Sequence, residues 1–409
     1  MSYITNLPTD TRTSFETAFG PERGSLRAMI ENKYDGYNTN EMNVLKSNYL
    51  TQGPMVPEFE NRVKKLTGAK YAAAVNSATS ALHIACLSLG LKEGDSLWTS
   101  PNSFVASANC GLYCGAKVDF VDIDPFTFNM DMKLLELKLE EAKKNNELPK
   151  IIVPVHMAGL SCDMKELKKL SKKYKFKIIE DASHAIGSKY NNNPVGNCLY
   201  SDVTVFSFHP VKIVTTGEGG IATTNDRMIA KKIDILRTHG ITKNPLNMKN
   251  KLHGPWYFEQ HDLGFNYRMS DIHAALGLSQ LKRLNKFTKK RNQIAKNYEL
   301  LLKGLPLRSQ KIANSYFSSY HLYIIRLNLE QIEKSKEAIF HSLRKKGIGV
   351  QVHYIPIHYH PFFQELNFKK GDFPNTEKYY EEALSLPIYP DLKKSEQLKV
   401  VKALKECIT

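Results

Sequence analysis

The chain has 409 residues, 42% of them hydrophobic and 24% charged, with a formal net charge of +16. These are globular proportions, which exclude a wholly disordered chain and suit a large folded unit with at least one smaller one. The excess positive charge admits nucleic acid, a membrane surface or an anionic substrate as partner, but the lysines lie scattered on helical runs such as Lys165–Lys173, with no zinc-finger, RNP or helix-turn-helix spacing.

Residues 1–45 are polar, with breakers at Gly20-Pro21, Gly24 and Asp35-Gly36, and read as an irregular N-terminal extension. Met1–Pro8 lacks a basic stretch followed by an apolar one, so no secretory signal is expected. From Phe59 the text becomes periodic: Phe59, Val63 and Leu66 form one face of an amphipathic helix. Tyr71–Val75 is a short apolar strand running into a helix that opens at Asn76-Ser77. Ser96–Ser100 is the next strand, followed by a Ser/Ala-rich helix from Asn102. Further strands are Lys117–Ile123, Lys150–Val155 and Lys177–Asp181, and then Asp202–Phe208 and Gly220–Thr224, read as joined by a short turn. Strands alternating with helices of about a dozen residues predict an α/β fold with a mostly parallel sheet covered by helices.

The texture changes near residue 265. A helix from Ser270 carries Ile272, Ala275, Leu276, Leu278 and Leu281. His321–Leu327, a helix over Glu330–Lys346, and Ile348–Tyr354 then read as a β-α-β-like unit of a small α+β domain. The expected organisation is an extension (1–45), a large domain (46–265) and a small C-terminal domain (266–409). The best apolar run, Ile151–Leu160, contains His156 and is too short to span a bilayer, so no membrane partner is expected. Cys86, Cys110, Cys114, Cys162, Cys198 and Cys407 form no Cys-x-x-Cys pair. Such scattered thiols fit a reducing cytoplasm. Cys110 and Cys114, four apart on one helix, read as core filler. His353, His358 and His360 lack a carboxylate or cysteine at ligand spacing, so no metal is expected.

Three stretches carry chemistry. Val75-Asn-Ser-Ala-Thr runs from a strand into a helix N-terminus, where free N–H groups suit a phosphate. Taken alone, Ser77 is equally an ordinary helix cap. Asp181, in Ile178-Ile-Glu-Asp, ends a buried strand at the edge where α/β sheets build their sites. It suits a pyridinium nitrogen, although a cap is the duller alternative. In Ser207-Phe-His-Pro-Val-Lys, Lys212 sits in an uncharged neighbourhood before the turn Gly217-Glu-Gly-Gly, and desolvation makes such an amine a nucleophile and proton carrier. A phosphate cradle, an acid for a ring nitrogen and a Schiff-base lysine together suit pyridoxal 5′-phosphate, PLP.

These stretches, with Leu50-Thr-Gln-Gly-Pro, Glu180-Asp-Ala-Ser-His-Ala-Ile-Gly, Glu218-Gly-Gly and Gly264-Phe-Asn-Tyr-Arg-Met-Ser-Asp, resemble the DegT/DnrJ/EryC1/StrS sugar aminotransferase family from about Leu50 onward. The resemblance implies a fold-type I PLP-dependent transferase, with a mixed, mostly parallel seven-stranded sheet, helices on both faces and a small C-terminal domain. It makes Lys212 the cofactor-binding lysine and Asp181 the ring-nitrogen partner. Ser77, Ala78 and Ser207 would hold the phosphate, Phe104 would stack on the ring, and His184 would pack beside it. Asn266 would reach the neighbouring subunit's cofactor, which implies a homodimer with shared active sites. Asn48, Tyr49, Leu50, Thr51, His353 and Tyr354 would contact a sugar nucleotide. Within the family, Ser207–Gly220, Gly254–Gln260 and Gln351–His358 are most similar to members of pseudaminic acid synthesis, which implies L-glutamate as donor and a UDP-linked 4-keto-6-deoxy-N-acetylhexosamine as acceptor. Perosamine-type and 4-amino-arabinose-type aminotransferases share the same kit. Dehydratase relatives replace the lysine by histidine, and Lys212 argues against that chemistry. An intact Lys212 with Asp181 also argues against a non-enzymatic regulatory protein.

Overall fold

The computed structural model describes residues 40–408. Most of the expected extension, residues 1–39, lies outside the described residues. Its last stretch, Asn40–Leu45, is helical (α1) rather than irregular, and Val44 is buried. Helix α2 (Met55–Thr67) buries Phe59, Val63 and Thr67, the i, i+4, i+8 stripe, and ends at Gly68, whose φ of 83° is the left-handed conformation that glycine adopts without a Cβ penalty.

The main sheet follows in order. Strand β1 (Tyr71–Val75) leads into α3 (Ala78–Ser88); β2 (Ser96–Thr99) and α4 (Ala106–Leu112) precede β3 (Lys117–Phe120). Helix α5 (Met132–Asn145), capped by Asp131, leads to β4 (Ile151–Val153), and α6 (Met164–Tyr174), capped by Asp163, leads to β5 (Lys177–Asp181). Strands β6 (Val203–Ser207) and β7 (Gly220–Thr224) complete it, and α7 (Arg227–Leu236) follows. The strand order is β1-β7-β6-β5-β4-β2-β3. Only β7 runs against its neighbours; the other adjacent pairs are parallel. The short turn expected between β6 and β7 is instead a loop over residues 208–219. An antiparallel pair needs only two turn residues, so the extra length serves to carry Lys212.

Alternate strand residues feed opposite faces, as the two-residue period of a strand requires. Val205 and Ala222 pack with α3 and α7, whereas Phe206 and Ile221 pack with α2 and with α8 (Asp271–Leu281, capped by Ser270). Both faces are therefore covered, and the central strands β5, β6 and β7 are buried almost throughout.

A second core gathers Ile294 and Tyr298 of α9 (Leu284–Leu301), the three-stranded antiparallel sheet β8 (Leu307–Ser309), β9 (Tyr323–Leu327) and β10 (Ala383–Leu386), helix α10 (Lys336–Lys345) and helix α12 (Lys394–Ile408), which follows α11 (Pro374–Glu382). Helix α10 is shorter than the Glu330–Lys346 reading because Ser335 caps it. The β-α-β unit does not form. Ile348–Tyr354 is irregular, with a single bridge from Gln351 to Ser385, and the third strand is the distant β10. Pro356 close behind this stretch has no N–H to extend a ladder.

Candidate active site

Register alone brings the chemistry-bearing stretches to one edge of the sheet. Val75 pairs with Gly220, Gly220 pairs with Ser207, and Val205 pairs with Asp181. The residues just past β1, the end of β5, the end of β6 and the start of β7 thus open into one cavity of about 1360 Å³. It is lined by Ser77, Ala78, Phe104, Asp181, His184, Ser207 and Lys212, and by His353 and Tyr354 from the irregular stretch after α10.

Ser77 caps α3, its hydroxyl accepting from the Ser80 N–H at 3.1 Å, so the first turn of α3 opens on the cavity. Gly220 passes so close that a Cβ there would lie 2.5 Å from the Ala78 nitrogen and the Ser77 carbonyl carbon. Only glycine lets β7 and the helix N-terminus meet. Asp181 is buried, and its carboxylate accepts from the Ser107 hydroxyl at 2.7 Å and the Ser183 N–H at 3.1 Å. Lys212 is half-buried in the cavity wall. Desolvation pulls its amine down from the ordinary lysine range to about 8, with the Asp181 charge partly opposing.

A cluster of rings forms the opposite wall. His184 Nε2 and the Tyr354 hydroxyl are 3.0 Å apart, their rings stacked. His321 lies against His184, with ring centroids 4.4 Å apart, and Phe104 stands 6.3 Å from Tyr354. His353 Nδ1 meets the Ser385 hydroxyl at 2.9 Å. Burial, then the Lys212 charge, holds His353 down at about 4, and burial holds His184 and His321 well below the ordinary histidine range. The wall is therefore uncharged at neutral pH. Nδ1 of His184 and Nδ1 of His321 are buried with no hydrogen-bond partner among the described residues.

Asn48, Tyr49, Leu50, Thr51 and Asn266 are not brought to this cavity by their own chain. The first four are exposed, and their loop is tied to the start of α8, where the Asp271 N–H donates to the Leu50 carbonyl. Asn266 is exposed beside Asn76. His358 pairs with Glu377 at 3.0 Å, away from His353, and no group of three metal-ligating side chains gathers among the described residues. Among those residues, no helix is long and apolar enough to cross a membrane. Sequence reasoning missed Ser107, Ser183, His321 and Arg291. Arg291 lines the cavity and donates to the carbonyls of Tyr320, His321 and Ile388. Nothing in the local text marks Ser107, His321 and Arg291, because their partners lie far away in sequence, whereas Ser183 acts through its backbone N–H, which no residue type reveals.

The model of the DegT/DnrJ/EryC1/StrS aminotransferase family matches residues 36–405. The chain belongs to that family. It is 40% identical over 365 residues to the UDP-4-amino-4,6-dideoxy-N-acetyl-beta-L-altrosamine transaminase of Campylobacter jejuni (strain 81-176), covering 89% of this chain and 91% of that one. It is 33% identical over 374 residues to the UDP-4-amino-4-deoxy-L-arabinose–oxoglutarate aminotransferase of Shewanella sediminis, covering 89% and 93%. Among solved structures, Helicobacter pylori PseC, an aminotransferase of pseudaminic acid biosynthesis, superposes with a TM-score of 0.82 at 34% identity, covering 90% of this chain and 95% of that one. As a family member the chain is a PLP-dependent sugar aminotransferase. The site suits PLP: a helix N-terminus for an anion, a buried carboxylate, a desolvated amine, and a buried imidazole nitrogen still lacking a partner.

Proposed function

We propose that the chain moves an amino group from L-glutamate to C4 of a UDP-linked 4-keto-6-deoxy-N-acetylhexosamine, giving UDP-4-amino-4,6-dideoxy-N-acetyl-β-L-altrosamine. The observation that carries the amino transfer is the meeting of the desolvated Lys212, the buried Asp181 and the N-terminus of α3 in one cavity. Greater similarity to the altrosamine transaminase than to the arabinose enzyme supports the choice of sugar.

PLP, when bound, supplies an electron sink for the carbon that loses its proton. Asp181, oriented by Ser107 and the Ser183 N–H, would hold the ring nitrogen and keep it protonated. Ser77, Ala78 and Ser207 hold the phosphate at the α3 N-terminus. Phe104 would stack on the ring and His184 would pack beside it, both lining the cavity. The Lys212 amine, titrating near neutral pH, takes the proton from the donor Cα and returns it at the cofactor's C4′. His353 and Tyr354, uncharged and mostly buried, contact the sugar.

We read the enzyme as a homodimer. Asn266 and the loop Asn48–Thr51 lie outside their own chain's cavity, so their expected contacts with phosphate and sugar nucleotide need a neighbour's cavity. We place it in the cytoplasm, a reading supported by its six free thiols. The test is incubation with L-glutamate and a panel of 4-keto sugars carrying UDP or GDP, with the product identified by mass spectrometry and NMR. Amination of the UDP-linked 4-keto-6-deoxy-N-acetylhexosamine is expected. Turnover of only a GDP-sugar or only a 4-keto pentose overturns the substrate.

A further inference from the structure

The mechanism leaves one buried carboxylate unused. Asp271 is the first residue of α8, just behind the Ser270 cap, and it is wholly buried. Its side chain serves a different helix. Oδ2 accepts from the Gly53 N–H at 2.8 Å and Oδ1 from the Met55 N–H at 2.7 Å. Met55 opens α2, whose own cap position is Pro54, a residue that makes no side-chain capping bond. The first N–H groups of a helix lack partners within it and need an acceptor from outside. Asp271 supplies that acceptor from 216 residues away. Helix N-termini favour negative charge, and here the starts of α2 and α8 meet at one carboxylate.

The same residue fixes the loop that precedes α2. The Asp271 N–H donates to the Leu50 carbonyl at 3.0 Å, and Thr51 bridges Ser270. Gly53 fits so tightly that a Cβ there would lie 2.6 Å from the Tyr49 Cβ and 3.0 Å from Asp271 Oδ1. Tyr49 and Leu50 are nevertheless 58% and 48% exposed. A loop that shows large apolar side chains to solvent while its backbone is held from beneath has already met the ordering cost of binding. The segment leading into Asp271 is held in the same way. Thr238 bridges Asn266, Val75 bridges Arg268, and the Asn76 N–H donates to the Tyr267 carbonyl at 2.9 Å. Asn266 and the loop Asn48–Thr51 are therefore tied to one another through Ser270 and Asp271.

We propose that Asp271 is a positioning residue for the sugar nucleotide, holding Asn48–Thr51 in fixed register with Asn266 so that both reach the same neighbouring cavity. The inference rests on the reading that these residues serve a neighbouring subunit's site. Two N–H donors need two acceptor oxygens. Asparagine keeps the shape of Asp271 but offers one oxygen and one NH₂ group, so one of the two N–H groups would meet another donor, and the charge favoured by both helix starts is lost. Only the fraction of molecules with the loop in place then binds the nucleotide at full strength. Asn266 keeps its own bridges, so the phosphate end of the unit is spared.

The test compares Asp271→Asn and Gly53→Ala with the unaltered PLP-loaded chain. Gly53→Ala keeps the carboxylate and displaces the loop by the contact of its Cβ with Tyr49, so it reads the loop even where Asp271→Asn folds poorly. Light scattering gives the oligomeric state, and hydrogen exchange followed by mass spectrometry gives the protection of residues 46–56. Kinetics give KM separately for L-glutamate and for the UDP-linked 4-keto-6-deoxy-N-acetylhexosamine. Both variants are expected to remain dimers, to exchange faster in that stretch, and to show KM for the keto-sugar raised about three- to thirtyfold, the effect of a lost helix cap on the population of the competent loop. KM for glutamate and PLP affinity should stay nearly unchanged, which general destabilisation would not allow. Faster exchange with an unchanged KM for the keto-sugar overturns the role of Asp271, as does an equal loss in the glutamate half-reaction. An unaltered chain that is monomeric and aminates the keto-sugar at full rate overturns the shared-site reading itself, a result that does not depend on either variant.

Discussion

The floor of the cavity comes from positions at or next to strand ends, Ser77, Asp181, Ser207 and Gly220, which the sheet register holds side by side. Its wall is gathered across the chain: His184 meets Tyr354, 170 residues away, and His321 stacks on His184. The floor rests on covered strands that cannot slip without turning every side chain to the wrong face. The wall rests on an irregular stretch, Ile348–Tyr354, pinned by one bridge and a few side-chain contacts. The floor is therefore expected to hold the chemistry that family members share, and the wall the features that differ with substrate.

The sharpest break of that division is Lys212→Ala. Removing the group proposed to carry the proton is expected to lower kcat by about 10²- to 10⁴-fold. The PLP-loaded variant should also lack the visible absorbance of a lysine-bound cofactor. An unchanged spectrum would mean that the attachment lies elsewhere.

Gly220→Ala attacks the floor through backbone rather than chemistry. Its Cβ would lie 2.5 Å from backbone atoms of Ser77 and Ala78 that have no rotamer to escape into. Overpacking of this kind costs roughly 1–3 kcal/mol, so PLP affinity should fall by about fivefold to a hundredfold, since about 1.4 kcal/mol is a factor of ten. Once PLP saturates the variant, kcat should largely recover. Loss of kcat with unchanged PLP affinity would separate Gly220 from the phosphate.

The pH profile compares the two regions directly. Desolvation lowers the Lys212 amine to about 8. Below that pH the amine is protonated and cannot accept a proton, so proton abstraction slows as pH falls and levels off above about 8. An ordinary lysine would move this inflection up by about two pH units. Asp181 is the opposing, raising influence, so Asp181→Asn should move the inflection lower. The wall histidines His184, His321 and His353 are all depressed, so no second step from them is expected between about pH 5 and 8. A step near 6.5 would return one of them to solvent.

The smallest effect belongs to the wall. Tyr354→Phe removes one hydrogen bond to His184, worth about 1 kcal/mol. It should raise KM for the keto-sugar about fivefold while leaving PLP affinity and the glutamate half-reaction nearly unchanged. Equal losses in both halves would make Tyr354 part of the floor.

The legible parts of the fold were those with local causes. Apolar runs between helical stretches gave the strands of the main sheet, and the α2 stripe was visible as Phe59, Val63 and Leu66. Ser77 and Ser270 marked helix starts through their hydroxyls. The 208–219 loop reads as a short turn, but its apolar residues Ile213 and Val214 are buried in the core with Phe59 and Leu278, a packing that no local pattern reveals. Ile348–Tyr354 alternates like a strand, but its edge position is taken by β10, a competitor that no local pattern reveals. The cysteine pair Cys110 and Cys114 reads as core packing in one dimension.

By itself, the sequence determined the α/β class and the covered, mostly parallel sheet, and it singled out Lys212 and Asp181 as candidates. Periodicity, strand ends and the rarity of a lone lysine in apolar text are properties of neighbouring residues. Tertiary structure decided which residues face that lysine. Ser107 beneath Asp181 and the neutral ring wall of His184, His321 and Tyr354 depend on contacts across tens to hundreds of residues. Such contacts exist only once burial has brought the elements together, and burial also sets the charge state of the groups it encloses.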